Sequence, residues 1–266
     1  MVEKKLVNVS NGVKQITLHG LLNQNSIKKR FNDILGKKAA GFMSSILSAV
    51  NTNPSLKDCE PNSIISAAAI AASLDLPINQ NIGFAAIVPY SGRGSFQTMW
   101  RGLVQLAMRT GQYKTINVSE VYEGEIKSSN HITGEIDFDL SGKKSDTIIG
   151  YVAYMKLING FEKYNYMTKA DVEKHGKKYS KSYNTGQWKN DFDSMARKTV
   201  IKMLLNKWGI LSIEMERALT YDQTTINDKG EPEYIDNKEV SAKPEIDMPV
   251  IDINADMKED EKEIDL

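Results

Sequence analysis

Residues 186–208 constrain the fold more than any other stretch, because their pattern predicts a long helix with one buried face. The segment reads GQWKNDFDSMARKTVIKMLLNKW. Side chains suited to a core recur at spacings of three and four, the period of an α-helix: Phe192, Met195, Ala196, Thr199, Val200, Met203 and Leu204. Lys198 and Lys202 lie one turn apart on one flank, and Arg197 lies on the other. The segment therefore predicts a helix that packs on a core and carries basic flanks.

The opposite side of this helix is also apolar. Ile201, Leu205 and Trp208 fall outside the predicted buried face. A helix that lay on one sheet in a two-layer monomer would leave them in water. We therefore expect another element of the chain, or a second subunit, to cover that side.

The segment directly before the helix is basic and carries aromatic residues. Residues 174–187 read KHGKKYSKSYNTGQ, with four lysines and two tyrosines. We predict a loop here, after a short helix over KADVEKH that Thr168 caps. Lysines neutralise phosphates, and aromatic rings stack on unpaired bases. The loop and the helix that follows it therefore suit a single-stranded nucleic acid.

The net charge of zero hides an uneven distribution. Residues 222–266 hold 15 acids and 5 bases, a net charge of −10, which leaves 29 bases and 19 acids in residues 1–221. A basic body joined to an acidic tail favours a nucleic-acid ligand over a neutral metabolite. The plainer interpretation is an ordinary solvated surface with an acidic tail.

Composition excludes several other classes. No run approaches the ~18–20 apolar residues of a membrane span, and the N-terminus lacks the apolar stretch of a secretion signal. The single Cys59 allows no internal disulfide, which fits a reducing compartment such as the bacterial cytoplasm. Three scattered histidines, His19, His131 and His175, give no zinc-binding cluster.

The periodicity predicts an α+β fold, with a central antiparallel sheet or hairpin core and flanking helices. Helices are predicted at 26–35, 38–51, 61–74 and 101–109. Strands are predicted at 84–90, 96–100, 113–122, 132–140, 146–157 and 161–167. The first two strands form a hairpin with Arg93 at its tip, between two glycines.

We predict one folded domain over residues 1–221. It has a helical part at about 20–75, a β-rich core at about 76–168, and the basic loop and helix at about 169–210. From residue 222 the apolar periodicity ends, and acidic, lysine and proline residues dominate. Such a composition predicts a disordered tail, 222–266, with short hydrophobic-acidic stretches.

The sequence suggests no catalytic or cofactor-binding set. Gly92-Arg93-Gly94 lies between two strands, whereas a phosphate-cradling loop lies between a strand and a helix. Asp137 and Asp139 share one face of a strand and would need further carboxylates to hold the metals of a nuclease. We interpret them as the solvent face of the strand, with Ile136, Phe138 and Leu140 inward. We therefore predict no catalytic residue, no metal and no cofactor.

Basic and polar residues near aromatic side chains form the predicted binding set. Each basic residue alone is more often a solvated charge, but together they describe a groove. Tyr179, Tyr183, Trp188, Phe96 and Trp100 supply rings that either stack on bases or fill the core. The predicted DNA-binding residues are Arg93, Gln97, Thr98, Arg101, Lys177, Lys178, Lys181, Lys189, Arg197, Lys198 and Lys202.

Three ordered motifs resemble the RecT family of phage and prophage single-strand annealing proteins. The first is FAAIVPYSGRGSFQTMWRGLVQLAMRTGQYKTINVSEVYEGE, the second MTKADVEKH and the third GQWKNDFDSMARKTVIKMLLNKW. The resemblance covers about residues 20–210. Gln187 stands where the family commonly has proline in the third motif.

The resemblance implies ATP-independent annealing of complementary strands in homologous recombination. It implies a fold similar to ring- or filament-forming annealing proteins, with single-stranded DNA and the annealed duplex in a basic groove. The implied partners are other copies of the chain and a 5′→3′ exonuclease. Three interpretations of the acidic tail stay open: it competes with DNA for the basic groove, it binds a partner such as a nuclease or a single-strand binding protein, or it only keeps the protein soluble. Carried onto this sequence, the family's DNA contacts fall on Arg93, Gln97 and Thr98 in the hairpin, and on Arg197, Lys198 and Lys202 in the late helix.

Two other functions stay open at this point. A sequence-nonspecific protector of single strands would need the same basic groove but would not promote pairing. A metal-dependent nuclease would need Asp137, Asp139 and other acids to converge. Annealing requires no hydrolysis, so it agrees with the lack of a nucleotide-binding loop in the sequence.

Overall fold

A computed structural model describes residues 17–79, 81–227 and 232–235. The N-terminal part is helical, as predicted, and its helices are α1 (Leu18–Leu22), α2 (Asn25–Leu35), α3 (Ala39–Thr52), α4 (Pro54–Lys57) and α5 (Pro61–Ser73). Proline begins α4 and α5, where the missing N–H costs no helical hydrogen bond. The alanines of α5 are buried, so a neighbouring backbone approaches this helix closely.

Strands and helices alternate through the rest of the described chain. The strands are β1 (Ala85–Tyr90), β2 (Arg93–Thr98), β3 (Tyr113–Tyr122), β4 (Ile126–Asn130), β5 (Glu135–Phe138), β6 (Ile148–Leu157), β7 (Glu162–Thr168), β8 (Thr224–Ile226) and β9 (Pro232–Tyr234). The helices are α6 (Trp100–Arg109), α7 (Lys169–Tyr179), α8 (Gln187–Asn190), α9 (Phe192–Trp208) and α10 (Ile213–Tyr221). The predicted α+β class, with antiparallel sheets and flanking helices, is confirmed.

Two antiparallel sheets organise these elements. One has the strand order β1-β2-β8-β9, and α5 packs against β2. The other has the order β3-β6-β7, and α9 packs across it. A separate β4–β5 ribbon lies beside β7. The long β3–β6–β7 sheet thus carries the helix that the sequence singled out.

The helix α9 is buried on more sides than its predicted face. Val200, Ile201 and Leu205 are all fully buried, and α9 packs on α6 as well as on the sheet. The same chain therefore buries Ile201 and Leu205, whereas Trp208, the third residue of the outer side, is 41% exposed. Met203 is 43% exposed although we predicted it inward.

The hairpin turn is shorter than predicted. Ser91 and Gly92 both have positive φ, 46° and 78°, as a two-residue turn between twisted strands requires. Arg93 is consequently the first residue of β2, where it pairs with Tyr90. The prediction of Arg93 at the tip was wrong because the turn contains only Ser91 and Gly92.

Two boundaries also differ from the predictions. The segment 174–187 is not all loop, because α7 continues to Tyr179. The fold does not end at residue 221, because β8 pairs with β2 and β9 pairs with β8. A three-residue strand is too short to show an alternating pattern, so no periodic signal marks it in the sequence. Residues 228–231 and 236–266 of the predicted tail lie outside the described residues.

The region 126–140 was predicted as a single strand over 132–140 and instead forms the β4–β5 ribbon. Leu140, predicted inward, is 76% exposed.

Within the described residues, every helix falls short of the length and apolar content that crossing a membrane requires.

Candidate nucleic-acid interface

A groove of about 230 Å³ opens between α7 and α9 and is also lined by the residue before β8 and by one residue of β9. His175 and Tyr179 of α7 form one wall, and Lys202 and Asn206 of α9 form the facing wall. Gln223 and Tyr234 complete the lining. We call this the α7–α9 groove.

A buried carboxylate binds two lysines beneath the groove. Asp222 Oδ1 accepts a hydrogen bond from Lys198 Nζ at 2.9 Å, and Oδ2 accepts one from Lys202 Nζ at 2.6 Å. The backbone N–H of Thr98 donates to the same carboxylate at 3.0 Å. The group therefore carries two cations against one anion, so its formal charge is positive.

The Asp222 carboxylate stays ionised because of these partners. Burial alone would raise its pKa, but Lys198 and Lys202 lower it below the ordinary value through charge and hydrogen bonds. Burial of a lone carboxylate would be costly, and ion pairing with several hydrogen bonds offsets that cost. Asp222 thus joins the hairpin strand β2 to α9.

The α7 wall is aromatic. The rings of His175 and Tyr179 lie one turn apart with centroids 4.4 Å from each other. Burial, with the nearby charges of Lys202 and Lys178, lowers the pKa of His175. A largely neutral imidazole at physiological pH therefore lies beside the basic groove.

A chain of rings fixes the segment between α7 and α9. The ring centroids of Tyr183 and Trp188 are 5.7 Å apart, and those of Trp188 and Phe192 are also 5.7 Å apart. Gly176 lets the row of rings lie close to α7, because a Cβ at this position would be 2.8 Å from the ring of Tyr183. Trp188 is buried, so it supports the groove from the core and its ring is not a surface platform.

Five of the predicted lysines lie along or beside the groove, and Lys198 lines its buried part. Lys202 lines it, and Lys178 and Lys181 flank the lining residues Tyr179 and Ser180 in sequence. Lys177 lies with its ammonium 5.7 Å from the Tyr183 ring. We call Lys177, Lys178, Lys181 and Lys202 the lysine rim. The first three are exposed and Lys202 is half-buried.

Three predicted contacts are placed differently from what the sequence suggested. Lys198 is 5% exposed, with its ammonium bound to Asp222, and Thr98 is fully buried. Arg93 is part-buried, donates to the carbonyl of Ile226 at 2.8 Å and lies 3.5 Å from Glu60. These residues hold the fold beneath the groove.

A second group gathers around Trp100. The guanidinium carbons of Arg101 and Arg197 lie 5.3 and 5.9 Å from its ring centroid, and Arg197 pairs with Glu120. Arg101 is exposed, whereas Arg197 is half-buried. Gln97 is half-buried in β2, and Lys189 is exposed in α8.

The hairpin is not the wall that faces α9. Instead β8 lies beside β2, with Gln223 N donating to the carbonyl of Phe96 at 3.0 Å. Sequence reasoning therefore missed Asp222, Gln223, Tyr234, His175 and Asn206 as parts of the site. A lone aspartate between a helix and the short stretch TTI carries no periodic signal. His175 was weighed only as a zinc ligand.

The carboxylates considered for a nuclease lie apart from this groove. Asp137 is exposed in β5 with Lys127 at 3.8 Å. Asp139 caps the turn after it by accepting from Ser141 N at 3.0 Å. Among the described residues, no group of three or more His, Cys, Asp or Glu side chains is arranged to hold a metal ion.

Comparison with known proteins shows the family of this chain. The RecT family model matches residues 40–240, from α3 to just beyond β9. The uncharacterized protein YqaK of Bacillus subtilis (strain 168) is 48% identical over 253 residues, covering 93% of this chain and 88% of YqaK. Protein RecT of Escherichia coli (strain K12) is 28% identical over 247 residues, covering 85% of this chain and 91% of that protein. Since the family model and these relatives span most of the chain, the protein belongs to the RecT family.

Proposed function

We propose that the protein is an ATP-independent single-strand DNA annealing protein of homologous recombination. The observation that carries the proposal is the α7–α9 groove with its lysine rim, in a chain of the RecT family. The rim cations would hold phosphates without regard to sequence. One of them, Lys202, belongs to the Lys198–Asp222–Lys202 group, which has two ammonium groups against one carboxylate. Arg101, Lys189, Arg197 and Gln97 are further candidate contacts on the neighbouring surface.

Annealing demands affinity for the backbone of a strand while its base edges remain available for pairing. Backbone binding by lysine and arginine meets the first demand at any sequence. If each subunit neutralises about four phosphates, log K would change with log salt by about −3 per subunit. Copies of the chain arranged along one strand would then add their weak affinities.

The proposal extends to the assembly and its partners. We propose homo-oligomers in the form of rings or filaments that bind single strands and the annealed duplex. A 5′→3′ exonuclease is the partner that would expose the strand. The acidic residues 236–266 offer a site for such a nuclease or for a single-strand binding protein.

The proposed activity predicts faster pairing of complementary strands. Two complementary oligonucleotides, one with a fluorophore and one with a quencher, are mixed with the protein without ATP or divalent metal. We expect pairing to be faster than spontaneous pairing, because the protein would concentrate and align both strands. Binding without acceleration would instead indicate a protector of single strands and would overturn the annealing proposal. Cleavage of the labelled strand after Mg²⁺ or Mn²⁺ is added would indicate a nuclease.

Removing the exposed rim charges should weaken DNA binding at every sequence. For Lys177→Ala, Lys178→Ala and Lys181→Ala together, the salt slope should become shallower by about 2, since each phosphate contact contributes about 0.7 on single strands. That change corresponds to about 50-fold weaker binding near physiological salt. Fluorescence anisotropy over a salt series measures both quantities.

A matched control removes three exposed lysines from the N-terminal helical part. Lys29, Lys37 and Lys57 are exposed there, and their joint replacement by alanine leaves the same net charge as the rim variant. We expect the control to retain most of the affinity and slope. Equal losses in the two variants would indicate a general charge effect and would place the phosphates elsewhere.

A further inference from the structure

The α7–α9 groove has a shape and lining that phosphate binding alone does not require. Its volume of about 230 Å³ is below the ~300–1,000 Å³ typical of pockets for drug-sized ligands. It is therefore a cavity for a group about the size of a single ring system. A phosphodiester backbone would need only exposed cations at the rim.

The lining combines apolar surface with a few polar groups. Trp188, Met195 and Met203 supply the apolar part, and Asn206 and Gln223 supply amides. Such a mixture, mostly apolar with a few placed polar atoms, is typical of small-ligand sites. Asparagine and glutamine both donate and accept, as the edge of a nucleobase does.

Backbone strain marks the same place. Gln223 has φ of +63° although it is not glycine, and such conformations persist where surrounding contacts enforce them. Its N–H donates to Phe96 O at 3.0 Å, its carbonyl accepts from Ile235 N at 3.1 Å, and its Oε1 accepts from Tyr234 Oη at 3.0 Å. The surrounding strands therefore hold the amide of Gln223 in place against the groove.

The charges around the cavity fit a nucleotide. Lys202 lines it, and Lys178 and Lys181 flank its rim. Lys202 shares the carboxylate of Asp222 with the buried Lys198, so that group of three has one more cation than anion. An apolar ring would enter the cavity, and the phosphates on either side of it would meet the rim. The ring of Tyr179, whose plane is tilted by 36° from that of His175, supplies a surface of the kind on which bases stack.

We infer that the α7–α9 groove is a nucleobase pocket that takes one unstacked base of the bound single strand. Tyr179 contacts the face of the base, Asn206 and Gln223 meet its edge, and the lysine rim holds the adjoining phosphates. The inference rests on the proposed function. It adds that each subunit withholds one base from pairing, so that base would have to leave the pocket before the duplex is complete.

The test compares two ligands of equal length and charge: an oligothymidine and an abasic oligonucleotide with the same phosphate backbone. A base held in such a pocket adds about 5- to 100-fold in affinity. Met203→Trp fills the cavity, and Tyr179→Ala removes a wall. Both should lower the ratio of oligothymidine affinity to abasic affinity at least about fivefold.

The matched control is Met108→Trp in α6, since Met108 is 58% exposed and outside the groove lining. It should keep the wild-type ratio. Circular dichroism and thermal melting confirm that each variant is folded. An unchanged ratio in both folded pocket variants would overturn the pocket.

The outcome for the wild-type protein separates the two levels of inference. If it binds and anneals single strands but holds both oligonucleotides equally well, the pocket is refuted and the annealing function stands. If it binds neither oligonucleotide, the proposed function fails and the pocket fails with it. A 2-aminopurine base in the strand gives an independent signal, because its fluorescence should change on entry into the wild-type pocket and not in Met203→Trp.

Discussion

Replacing Asp222 by asparagine is expected to lower the free energy of unfolding by about 3–5 kcal/mol, because it leaves a buried ammonium without its counter-charge. Asp222 is 2% exposed and Lys198 is 5% exposed, so water cannot replace the lost carboxylate. Asparagine is close in shape and can still accept from Thr98 N. The decrease in the free energy of unfolding would therefore come mainly from the lost charge and not from altered packing. Urea unfolding measures this decrease.

An exposed ion pair in the same chain provides the control. Lys38 Nζ lies 2.8 Å from Asp75 Oδ2, with both side chains more than half exposed. Surface pairs of this kind contribute about 0–1 kcal/mol, so Asp75→Asn should change the unfolding free energy by no more than that. A similarly small effect for Asp222→Asn would contradict the role we assign to the buried group.

The difference between wild type and Asp222→Asn should depend on pH. The folded-state pKa of Asp222 lies below its ordinary value, so the native state favours the ionised form. The stability from this group is therefore present above the unfolded-state pKa of about 3.9 and is lost as pH falls through the folded-state value. Unfolding free energies of the two proteins should converge below about pH 4. A constant difference across this range would exclude ionisation as the cause.

Gly102→Ala is expected to destabilise the protein by about 3 kcal/mol or more, because backbone atoms occupy the space of the new methyl group. A Cβ at Gly102 would lie 2.0 Å from the carbonyl oxygen of Phe84. That oxygen already accepts a hydrogen bond from Met99 N at 3.0 Å, so it cannot move without loss. Helix α6 would have to shift away from β1, and thermal or urea unfolding measures the cost.

Gly41 gives the opposite expectation for the same substitution. It lies in α3, is exposed, and has no atom within 4 Å of a built Cβ. Gly41→Ala should stabilise the protein by about 0.5–1 kcal/mol through helix propensity alone. If Gly102→Ala and Gly41→Ala changed the unfolding free energy equally, the close approach of the Phe84 carbonyl would not explain why position 102 is glycine.

Elements with a strong local pattern were predictable. Strand β3 has the predicted bounds, and α5 ends one residue earlier than predicted. The helix predicted from residues 186–208 is divided at Asp191 into α8 and the longer α9. Thr168 caps α7 by accepting from Asp171 N, as predicted. These features depend on neighbours within one or two turns, so the sequence carries their signal directly.

The lysines of α9 show what a helical pattern leaves open. Lys198 and Lys202 were correctly placed one turn apart on a flank, and that spacing alone suggested a surface for DNA. In the fold, Asp222 reaches both from 24 and 20 residues away. A flank is solvent-facing only if nothing packs on it, and no local pattern reports what packs there.

The sequence by itself determined the α+β class, the family and the basic character of residues 174–208, since composition, periodicity and ordered motifs are local properties of the chain. Only the tertiary structure decided which of those cations remain at the surface. The α7–α9 groove exists because β8 pairs with β2 and brings Asp222, Gln223 and Tyr234 against α9. That pairing joins segments more than a hundred residues apart. The burial and hydrogen bonds that stabilise this pairing are contacts between distant segments, so no local pattern in the sequence reports them.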